Sequence, residues 1–337
     1  MLKIRNWIMW GVLALGTCAV QLSYADDVDS LRSLFQNPIV ERSVYAHNSL
    51  HGIAHNGAVG VNADYEAGKC SQWFIEMQRA GGDFIQSSIA GSADPTLMAL
   101  GIKTIKWGFS KQKPDGSFAG SGNLYHSSSL FLDAALRATL LMKESDPTKY
   151  SATIKDFSKH IVKGMDYMIK MKKSGDKENK PFGHRNWVFA AINQMTAKLT
   201  GNSQWEKYAE EYVKAGLSFQ KPDGNNPEKG GYDVSYQTLG VLYAEKWYVN
   251  SENAQLKKRV AKMIEKALKW EKTHISDTGE VEVGASTRIG EGHVGRGGGE
   301  KKVDVKSLVE AYAFAAGITG NAEYNQTADL VAHHYGF

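Results

Sequence analysis

The feature that most constrains the fold of this 337-residue chain is an alternation of two kinds of predicted helix. Apolar residues recur at spacings of three and four, the period of a helix rather than of a strand. Four segments are apolar on nearly every face, at 130–142, 187–199, 238–249 and 305–316. Three others carry one apolar stripe and many charges, at 150–172, 205–219 and 253–272. Because all-apolar helices are buried and striped ones lie at the surface, the sequence predicts an all-α protein.

The connections between these helices alternate as well. Short turns follow the apolar helices, and two of them carry Thr-Gly-Asn, at 200–202 and 319–321, where glycine is typical of a helix end. Long connections rich in Gly, Pro and His lie at 47–64, 111–128, 173–186, 220–237 and 276–304. The pentapeptide Gln-Lys-Pro-Asp-Gly occurs in two of them, at 112–116 and 220–224. This pattern predicts a repeated helical hairpin of about 50 to 68 residues.

Buried helices inside and amphipathic helices outside predict an (α/α) toroid, an incomplete or closed barrel of about five to seven hairpins. In such a ring the long loops emerge on one rim, so side chains far apart in sequence meet over one cleft. No segment has the composition of a domain linker, and we expect a single catalytic domain over residues 26–337.

The first 25 residues have the features of a secretory signal peptide. Lys3 and Arg5 precede an uncharged apolar stretch over 7–22, and Ser23-Tyr24-Ala25 fits a small-x-small cleavage site. The sequence therefore predicts cleavage before Asp26, a periplasmic or secreted protein, and no membrane association of the mature form. Removal of Lys3 and Arg5 lowers the net charge from +4, which is too small a charge to indicate a nucleic-acid partner.

The long connections are enriched in side chains that recognise ligands directionally. Their His, Arg, Asn and Tyr residues include His51, Tyr125, His126, His184, Arg185, Asn186, Tyr232, Tyr236, Arg288, His293 and Arg296. Solvated loops more often carry Lys, Glu and Ser, so the enrichment favours an anionic, hydroxyl-rich ligand. The alternative is that each histidine caps a helix or bonds to a loop carbonyl.

Two predicted inner helices begin with candidate site residues. His184, Arg185 and Asn186 open one of them, where unpaired backbone N–H groups and the helix dipole attract a carboxylate. The alternative there is that Asn186 is an N-cap. Tyr232 and Tyr236 lie one turn apart at the start of the next, and we expect them to face the same way.

His47, His51 and His55 are four residues apart, so on a helix they would share one face and could ligate a metal. Gly52 and Gly57 argue against a long regular helix there, and the sequence has no His-Glu-x-x-His motif and no paired cysteines. We therefore expect neither a catalytic metal nor a cofactor.

Residues 284–299 form a glycine-dense loop that carries Arg288, His293 and Arg296. It lacks the GxxxxGK[ST] pattern of a phosphate-binding loop, and no strand precedes it. The sequence predicts a mobile lid whose arginines stay in solvent until an anionic ligand draws them in. The alternative is a disordered tip.

These motifs resemble those of the α/α-toroid polysaccharide lyases, especially the alginate and glucuronan lyases. That family has an Asn-His pair at the start of one inner helix, and about fifty residues later an Arg and a Tyr at the start of the next. Here residues 184–191 and 232–237 occupy these places, and Tyr236 matches the catalytic tyrosine. The resemblance covers about residues 155–306. The order His-Arg-Asn departs from the family pattern, and Arg185 or Arg288 has to replace the arginine that would precede Tyr236.

The resemblance implies cleavage of a 1,4-linked polyuronate, such as alginate or glucuronan, by β-elimination. Donors on the carboxylate stabilise the charge that develops when the C5 proton leaves, and a tyrosine can be both base and acid. The implied catalytic residues are Tyr236, His184, Arg185, Asn186 and Arg288. The implied substrate-binding residues are Tyr125, His126, His51, Trp187, Tyr232, His293 and Arg296.

Two other functions remain open from the sequence. A glycoside hydrolase on the same toroid would need two carboxylates facing each other across the bond, and Asp115, Asp223, Asp233 and Glu291 are candidates. Asp115 and Asp223 lie in Pro-Asp-Gly sequences, where they are better explained as turn residues. A non-catalytic periplasmic glycan-binding protein could use the same cleft.

Overall fold

A computed structural model describes residues 30–41, 52–92, 94–118, 123–294 and 299–337. Within these ranges the protein is all-helical, and its only β-type pairings are isolated bridges. This confirms the predicted all-α class. No helix in the described ranges is both long and apolar enough to cross a membrane. The predicted signal peptide lies outside the described residues, as do His47, His51 and Arg296.

The predicted helices are all present, and most are longer than the pattern indicated. The main helices are α1 (Leu31–Phe35), α2 (Val61–Glu66), α3 (Ala80–Ala90), α4 (Leu97–Ser110), α5 (Leu124–Ser145), α6 (Ser151–Lys170), α7 (Lys172–Asn179), α8 (Gly183–Thr200), α9 (Ser203–Phe219), α10 (Val234–Asn250), α11 (Ala254–Lys272), α12 (Val305–Thr319) and α13 (Ala322–Tyr335), with a 3-10 helix over Ile75–Arg79. Helix α5 begins early because the Asn123 side chain accepts the His126 N–H. Helix α10 begins early because Asp233 accepts the Tyr236 N–H.

Helices α3 and α4 were not predicted. Glycines interrupt their apolar pattern, and the structure shows why glycine stands there. A Cβ on Gly81 would lie 2.9 Å from the Gly101 carbonyl oxygen, and one on Gly82 would lie 2.9 Å from Ala134 of α5. These glycines therefore let three helices approach more closely than larger residues would allow.

Each apolar helix packs against the amphipathic helix that follows it in the chain, and we call the apolar helix of each pair inner and the amphipathic helix outer. The described residues contain five such pairs, α3–α4, α5–α6, α8–α9, α10–α11 and α12–α13. The apolar helices also pack on one another in the order α3, α5, α8, α10, α12. Lys306 and Glu310 of α12 then reach back to α3, where they contact Asp83 at 3.5 Å and Gln86 at 3.1 Å.

A glycine turn repeats before four of these five pairs. Gly57, Gly116, Gly224 and Gly279 all have positive φ angles, and a Cβ on any of them would come within 3.0 Å of a carbonyl on an outer helix. These carbonyls belong to α4, α6, α11 and α13. Each of these helices is the second member of the pair that the turn precedes. The sequence repeat at 112–116 and 220–224 marks two of the four turns, and the other two have different sequences.

The turns also explain two of the candidate carboxylates. Asp115 accepts the Ser117 N–H at 2.9 Å, and Asp223 accepts the Asn225 N–H at 3.0 Å. Both carboxylates therefore stabilise their own turns, which confirms their interpretation as turn residues.

The space between the inner helices is charged, although their sequences indicated apolar interiors. Asp133 of α5 pairs with Lys246 of α10 at 3.0 Å, and Arg137 of α5 pairs with Asp83 of α3 at 3.0 Å. These side chains surround a cavity of about 60 Å³ that Lys306 and Glu310 also line. Because buried charges need partners, these charge pairs fix the positions of α3, α5, α10 and α12 relative to one another.

Candidate functional site

The first turns of three inner helices bring three ring side chains together. His126 lies in the first turn of α5, His184 in that of α8, and Tyr236 in that of α10. The His126 and His184 ring centroids are 5.7 Å apart, and those of His184 and Tyr236 are 4.7 Å apart. The repeated hairpins thus gather residues that are more than a hundred positions apart in the sequence.

A buried carboxylate, that of Glu228, joins this group to the glycine-dense loop. One oxygen of Glu228 accepts from His184 Nδ1 at 2.9 Å, and the other accepts from an Arg288 guanidinium nitrogen at 2.6 Å. Burial alone would raise the pKa of Glu228, but His184 and Arg288 outweigh it and hold that pKa below its usual value. Glu228 is therefore ionised, and it fixes the positions of two candidate site residues at once.

Glu228 is placed beside His184 by a close backbone contact at the start of α8. The Gly183 N–H donates to the Pro227 carbonyl at 3.1 Å, and a Cβ on Gly183 would lie 2.7 Å from that oxygen. The Thr287 hydroxyl donates to the Glu228 carbonyl at 2.9 Å. Glycine at 183 thus lets the 227–231 turn lie against the helix start, which puts Glu228 beside His184. Sequence reasoning missed Glu228, because nothing in its local pattern distinguishes it from a loop glutamate.

His184 is fully buried between its neighbours. Burial lowers its pKa despite the nearby Glu228 carboxylate, so the ring is neutral at pH 7. Since Nδ1 donates to Glu228, the proton is on Nδ1 and Nε2 is an acceptor. Nε2 is buried and has no hydrogen-bond partner among the described residues. In this state His184 cannot donate to a substrate carboxylate, which differs from the role expected from the sequence.

Arg288 lies over the face of Tyr236. The centre of its guanidinium is 3.6 Å from the Tyr236 ring centroid and 5.0 Å from that of Phe182. Its backbone N–H donates to Asp233 at 2.8 Å, and its side chain is only 12% exposed. The expectation that Arg288 waits in solvent for a ligand is therefore wrong, because Glu228 and two aromatic rings already hold it.

A second cation contacts the hydroxyl of Tyr236. Lys301 donates from Nζ to the Tyr236 oxygen at 3.4 Å. Backbone hydrogen bonds hold Lys301 to the glycine-dense loop, from Gly290 N–H to its carbonyl at 2.9 Å and from its own N–H to His293 at 2.7 Å. The tyrosine is half-buried, with positive charge at its face and at its oxygen. Lys301 was not among the predicted site residues, since a lysine in a charged loop has no distinguishing pattern.

Arg185 and Asn186 diverge from His184. Arg185 donates to Asn179 of α7 at 2.8 Å, and its guanidinium lies 3.8 Å from the centre of the Phe182 ring. Together with Asn186 it lines a separate cavity of about 220 Å³ beside α7. Burial lowers the pKa of Arg185 to about 10, so it remains charged at neutral pH. The three residues separate because successive helical residues project about 100° apart. Asn186 lies inside α8 and is not its N-cap, which is Phe182.

Three of the predicted substrate-binding aromatic residues serve packing instead. Tyr125 is buried and stacks on Phe189 at a centroid distance of 4.7 Å. Trp187 is buried under α9, where Gly216 makes room for its indole. The Tyr232 ring packs on Trp270, and its oxygen accepts the N–H of residue 285. Tyr232 and Tyr236 were expected to lie one helical turn apart on one face, but Tyr232 precedes the first residue of α10, and the two rings contact different partners.

His126 and His293 differ in their surroundings. His126 lies at the edge of the three-ring group, and burial lowers its pKa well below the usual value, with the charge of Arg185 adding to the effect. His126 is therefore neutral, and its Nδ1 is buried without a hydrogen-bond partner among the described residues. His293 is half-exposed in the glycine-dense loop, where its backbone holds Lys301.

Of the three histidines that could form a metal site, only His55 lies among the described residues. Within the described ranges, no group of three or more His, Cys, Asp or Glu side chains is arranged to hold a metal ion. His55 is exposed there, whereas His47 and His51 fall outside these ranges.

No protein-family model matches the chain, and no curated protein or solved structure shows significant similarity to it. The chemistry of the site therefore has to be derived from its own side chains. These are a half-buried tyrosine, two cations that contact it, and a buried Glu–His pair that holds one of the cations.

Proposed function

We propose that the protein is a polysaccharide lyase that cleaves a 1,4-linked polyuronate, of alginate or glucuronan type, by β-elimination. The observation that carries this proposal is the placement of Tyr236 between Arg288 on its ring face and Lys301 on its hydroxyl. A phenolate oxygen can take a proton and then return it, and adjacent cations stabilise the negative charge of the phenolate and of the reacting sugar.

In the proposed reaction, Tyr236 removes the C5 proton of the uronate. The electron pair of that C–H bond forms the C4–C5 double bond, and the bond from C4 to the glycosidic oxygen breaks. The departing oxygen receives a proton from the same tyrosine when both groups leave from one side of the sugar. The products are a new reducing end and a 4,5-unsaturated uronate end.

Arg288 is the proposed donor to the substrate carboxylate. A guanidinium has five N–H groups, and the Glu228 contact engages one of its nitrogens at 2.6 Å. The remaining N–H groups can contact a carboxylate, which stabilises the enolate-like charge next to C5. His184 and Glu228 then act as positioning residues, because both are buried and one of them holds Arg288 directly. No cofactor or metal is assigned a step in this reaction.

We further propose that the five helix pairs form an (α/α) toroid within a single domain. The sequential packing of the apolar helices supports a ring, and so do the contacts from α12 back to α3. The clustering of helix starts around Tyr236 suits a cleft on the loop rim. Residues 1–25 are the proposed signal peptide of a periplasmic or secreted enzyme.

The nearest rival, a glycoside hydrolase, has less support. It needs two carboxylates on opposite sides of the scissile bond. Asp115 and Asp223 stabilise turns, Asp233 caps α10, and Glu291 is exposed in the glycine-dense loop. The Tyr236 site could equally bind a uronate without cleaving it, so a glycan-binding protein remains the second alternative.

One assay separates the three functions. Purified protein is incubated with alginate, glucuronan, hyaluronan and pectate, while ultraviolet absorbance and reducing ends are both followed. A lyase produces both signals together, because its double bond is conjugated to the carboxylate. A hydrolase produces reducing ends only, and a binding protein produces neither. Absence of new absorbance with all four polymers would contradict the lyase proposal.

A further inference from the structure

Helix α11 presents a long basic surface that the Tyr236 site does not use. It carries seven cations, Lys257, Lys258, Arg259, Lys262, Lys266, Lys269 and Lys272, and its one exposed acidic residue is Glu265. None of the seven forms an ion pair with an acidic residue in the described part of the chain. Nineteen residues of helix extend about 28 Å at a rise of about 1.5 Å per residue.

Four of these lysines form a regular row. Lys262, Lys266, Lys269 and Lys272 are three or four positions apart, so they lie on neighbouring parts of one helix face. Their spacing along the helix axis is about 4.5 to 6 Å. Glu265 lies on the same face, between Lys262 and Lys269, so the row holds four cations and one carboxylate and keeps a clear excess of positive charge. The row is therefore suited to a ligand with regularly repeated negative charges.

A groove runs beside this row, between α11 and α13. Its volume is about 940 Å³, and Lys266, Lys269 and Lys272 line one wall. Tyr324 of α13 lines it as well, above the buried ring of Tyr312 of α12, with ring centroids 6.0 Å apart. The groove also holds Glu265 of α11 and Glu323 of α13, beside the neutral side chains Asn321, Gln326 and Thr327, so its three lysines exceed its acidic residues by one. Amide and hydroxyl groups beside the Tyr324 ring suit a ligand rich in hydroxyl groups.

An anionic lipid surface would also complement the lysines, but it fits the groove less well. Membrane-binding surfaces place large apolar side chains at the rim, where they enter the bilayer. The large apolar residues exposed in the described ranges are Leu124, Met171, Val294 and Tyr335, and none of them lines the groove. The combination of a cation row, polar side chains and the Tyr324 ring favours a sugar polymer.

We propose that the basic face of α11 and the adjoining groove form a second binding surface for an extended polyanionic polysaccharide. This surface lies on outer helices, whereas the Tyr236 site is built from the starts of inner helices. The choice of a polyuronate as ligand rests on the proposed function. A chain held on α11 stays near the enzyme between cleavage events, which raises the effective substrate concentration at the cleft.

The test compares two triple variants of equal charge. The groove variant is Lys266→Gln, Lys269→Gln and Lys272→Gln. The control variant is Lys106→Gln, Lys155→Gln and Lys207→Gln, which removes three exposed lysines from three different outer helices. Binding is measured as retardation in native gels that contain increasing concentrations of sodium alginate. Turnover of a short uronate tetramer is measured separately by ultraviolet absorbance.

The groove variant should bind alginate at least about tenfold more weakly than wild type, which is the scale for losing several exposed charge pairs. The control variant should bind alginate as wild type does, and all three proteins should turn over the tetramer at equal rates. Equal retardation of both variants, or no retardation of wild type, would overturn the proposal. Wild-type binding to phosphatidylglycerol vesicles that exceeds alginate binding would overturn the choice of ligand.

Failure of the lyase proposal and failure of the second binding surface give different results. The gel measurement detects binding and does not require cleavage. If the groove variant alone loses retardation but no polyuronate yields unsaturated ends, the second surface stands and the lyase proposal fails. If cleavage occurs and both variants are retarded equally, the lyase proposal stands and the second surface fails.

Discussion

The guanidinium of Arg288 lies over Tyr236, with its centre 3.6 Å from the ring centroid. The two residues are 52 positions apart in the sequence, and the Glu228 carboxylate keeps Arg288 in place. A protonatable oxygen and a carboxylate donor are thus preorganised next to each other without a bound ligand. Preorganised charges cost no rearrangement during a reaction, which is the arrangement that electrostatic catalysis requires.

Replacement of Glu228 tests this positioning. Glu228→Gln removes the negative charge that holds Arg288, and we expect kcat/KM to fall about tenfold to a hundredfold. The variant should also lose about 3 to 5 kcal/mol of unfolding free energy, since a buried charge loses its partner. Steady-state kinetics on a uronate oligomer and urea unfolding check the two effects.

Glu291→Gln is the matched control for Glu228→Gln. Glu291 is an exposed glutamate in the glycine-dense loop, so its replacement should change neither kinetics nor stability. A Glu228→Gln enzyme with wild-type kcat/KM would show that Arg288 does not need this anchor.

Arg288 should contribute more to the reaction than Arg185. Arg288→Ala should lower kcat/KM by a factor that corresponds to about 2 to 4 kcal/mol of lost transition-state stabilisation, the range for losing one partner of a desolvated charge pair. Arg185→Ala should have a smaller effect, because that guanidinium is bonded to Asn179 and lines a different cavity. The two variants are compared on one substrate, and equal losses would contradict the separation of these arginines.

The buried histidines should make stability depend on pH. Burial lowers the pKa of His126 and His184, so below the usual histidine pKa of about 6.5 the unfolded chain binds more protons than the folded one. The two histidines should therefore contribute a decrease in unfolding free energy as the pH falls from 7 to 5, whereas burial raises the pKa of Glu245 and Glu271 and makes them contribute an increase. His126→Gln should remove part of the histidine contribution and so change the slope of unfolding free energy against pH, whereas replacement of the exposed His55 by Gln should leave the wild-type slope unchanged. Urea unfolding at several pH values gives the slopes, and identical slopes for all three proteins would contradict this prediction.

Metal removal tests the assignment of carboxylate stabilisation to Arg288. If side chains neutralise the substrate carboxylate, activity should survive exhaustive dialysis against EDTA. The measurement compares initial rates before and after dialysis. Loss of activity that Zn²⁺, Ca²⁺ or Mn²⁺ restores would direct attention to His47, His51 and His55 instead.

The helices that the sequence predicted are those with an uninterrupted apolar pattern. Helices α5, α8, α10 and α12 are apolar on nearly every face, so their burial could be inferred from composition alone. Helices α3 and α4 could not be inferred, because glycines such as Gly81 replace apolar residues where helices touch. The charged space between the inner helices was missed because isolated charges such as Asp133 do not disturb an apolar pattern.

The candidate site also contains some residues that the sequence could predict and others that it could not. His126, His184 and Tyr236 were predictable together, since each lies in the first turn of an inner helix and the hairpin repeat brings those turns to one end. Glu228 and Lys301 were not predictable, because each lies in an irregular segment whose path depends on backbone contacts such as Gly183 to Pro227. Periodicity carries no information about where such segments place their side chains.

The most direct test of the proposed chemistry is the rate at which Tyr236→Phe produces unsaturated uronate ends. Phenylalanine keeps the ring under Arg288 but removes the oxygen that would carry the proton. With the polyuronate that wild type cleaves fastest, kcat should fall by at least about a hundredfold. Tyr232→Phe, whose ring packs on Trp270, should keep near-wild-type turnover. Near-wild-type kcat in a folded Tyr236→Phe protein would contradict the assignment of proton transfer to this tyrosine.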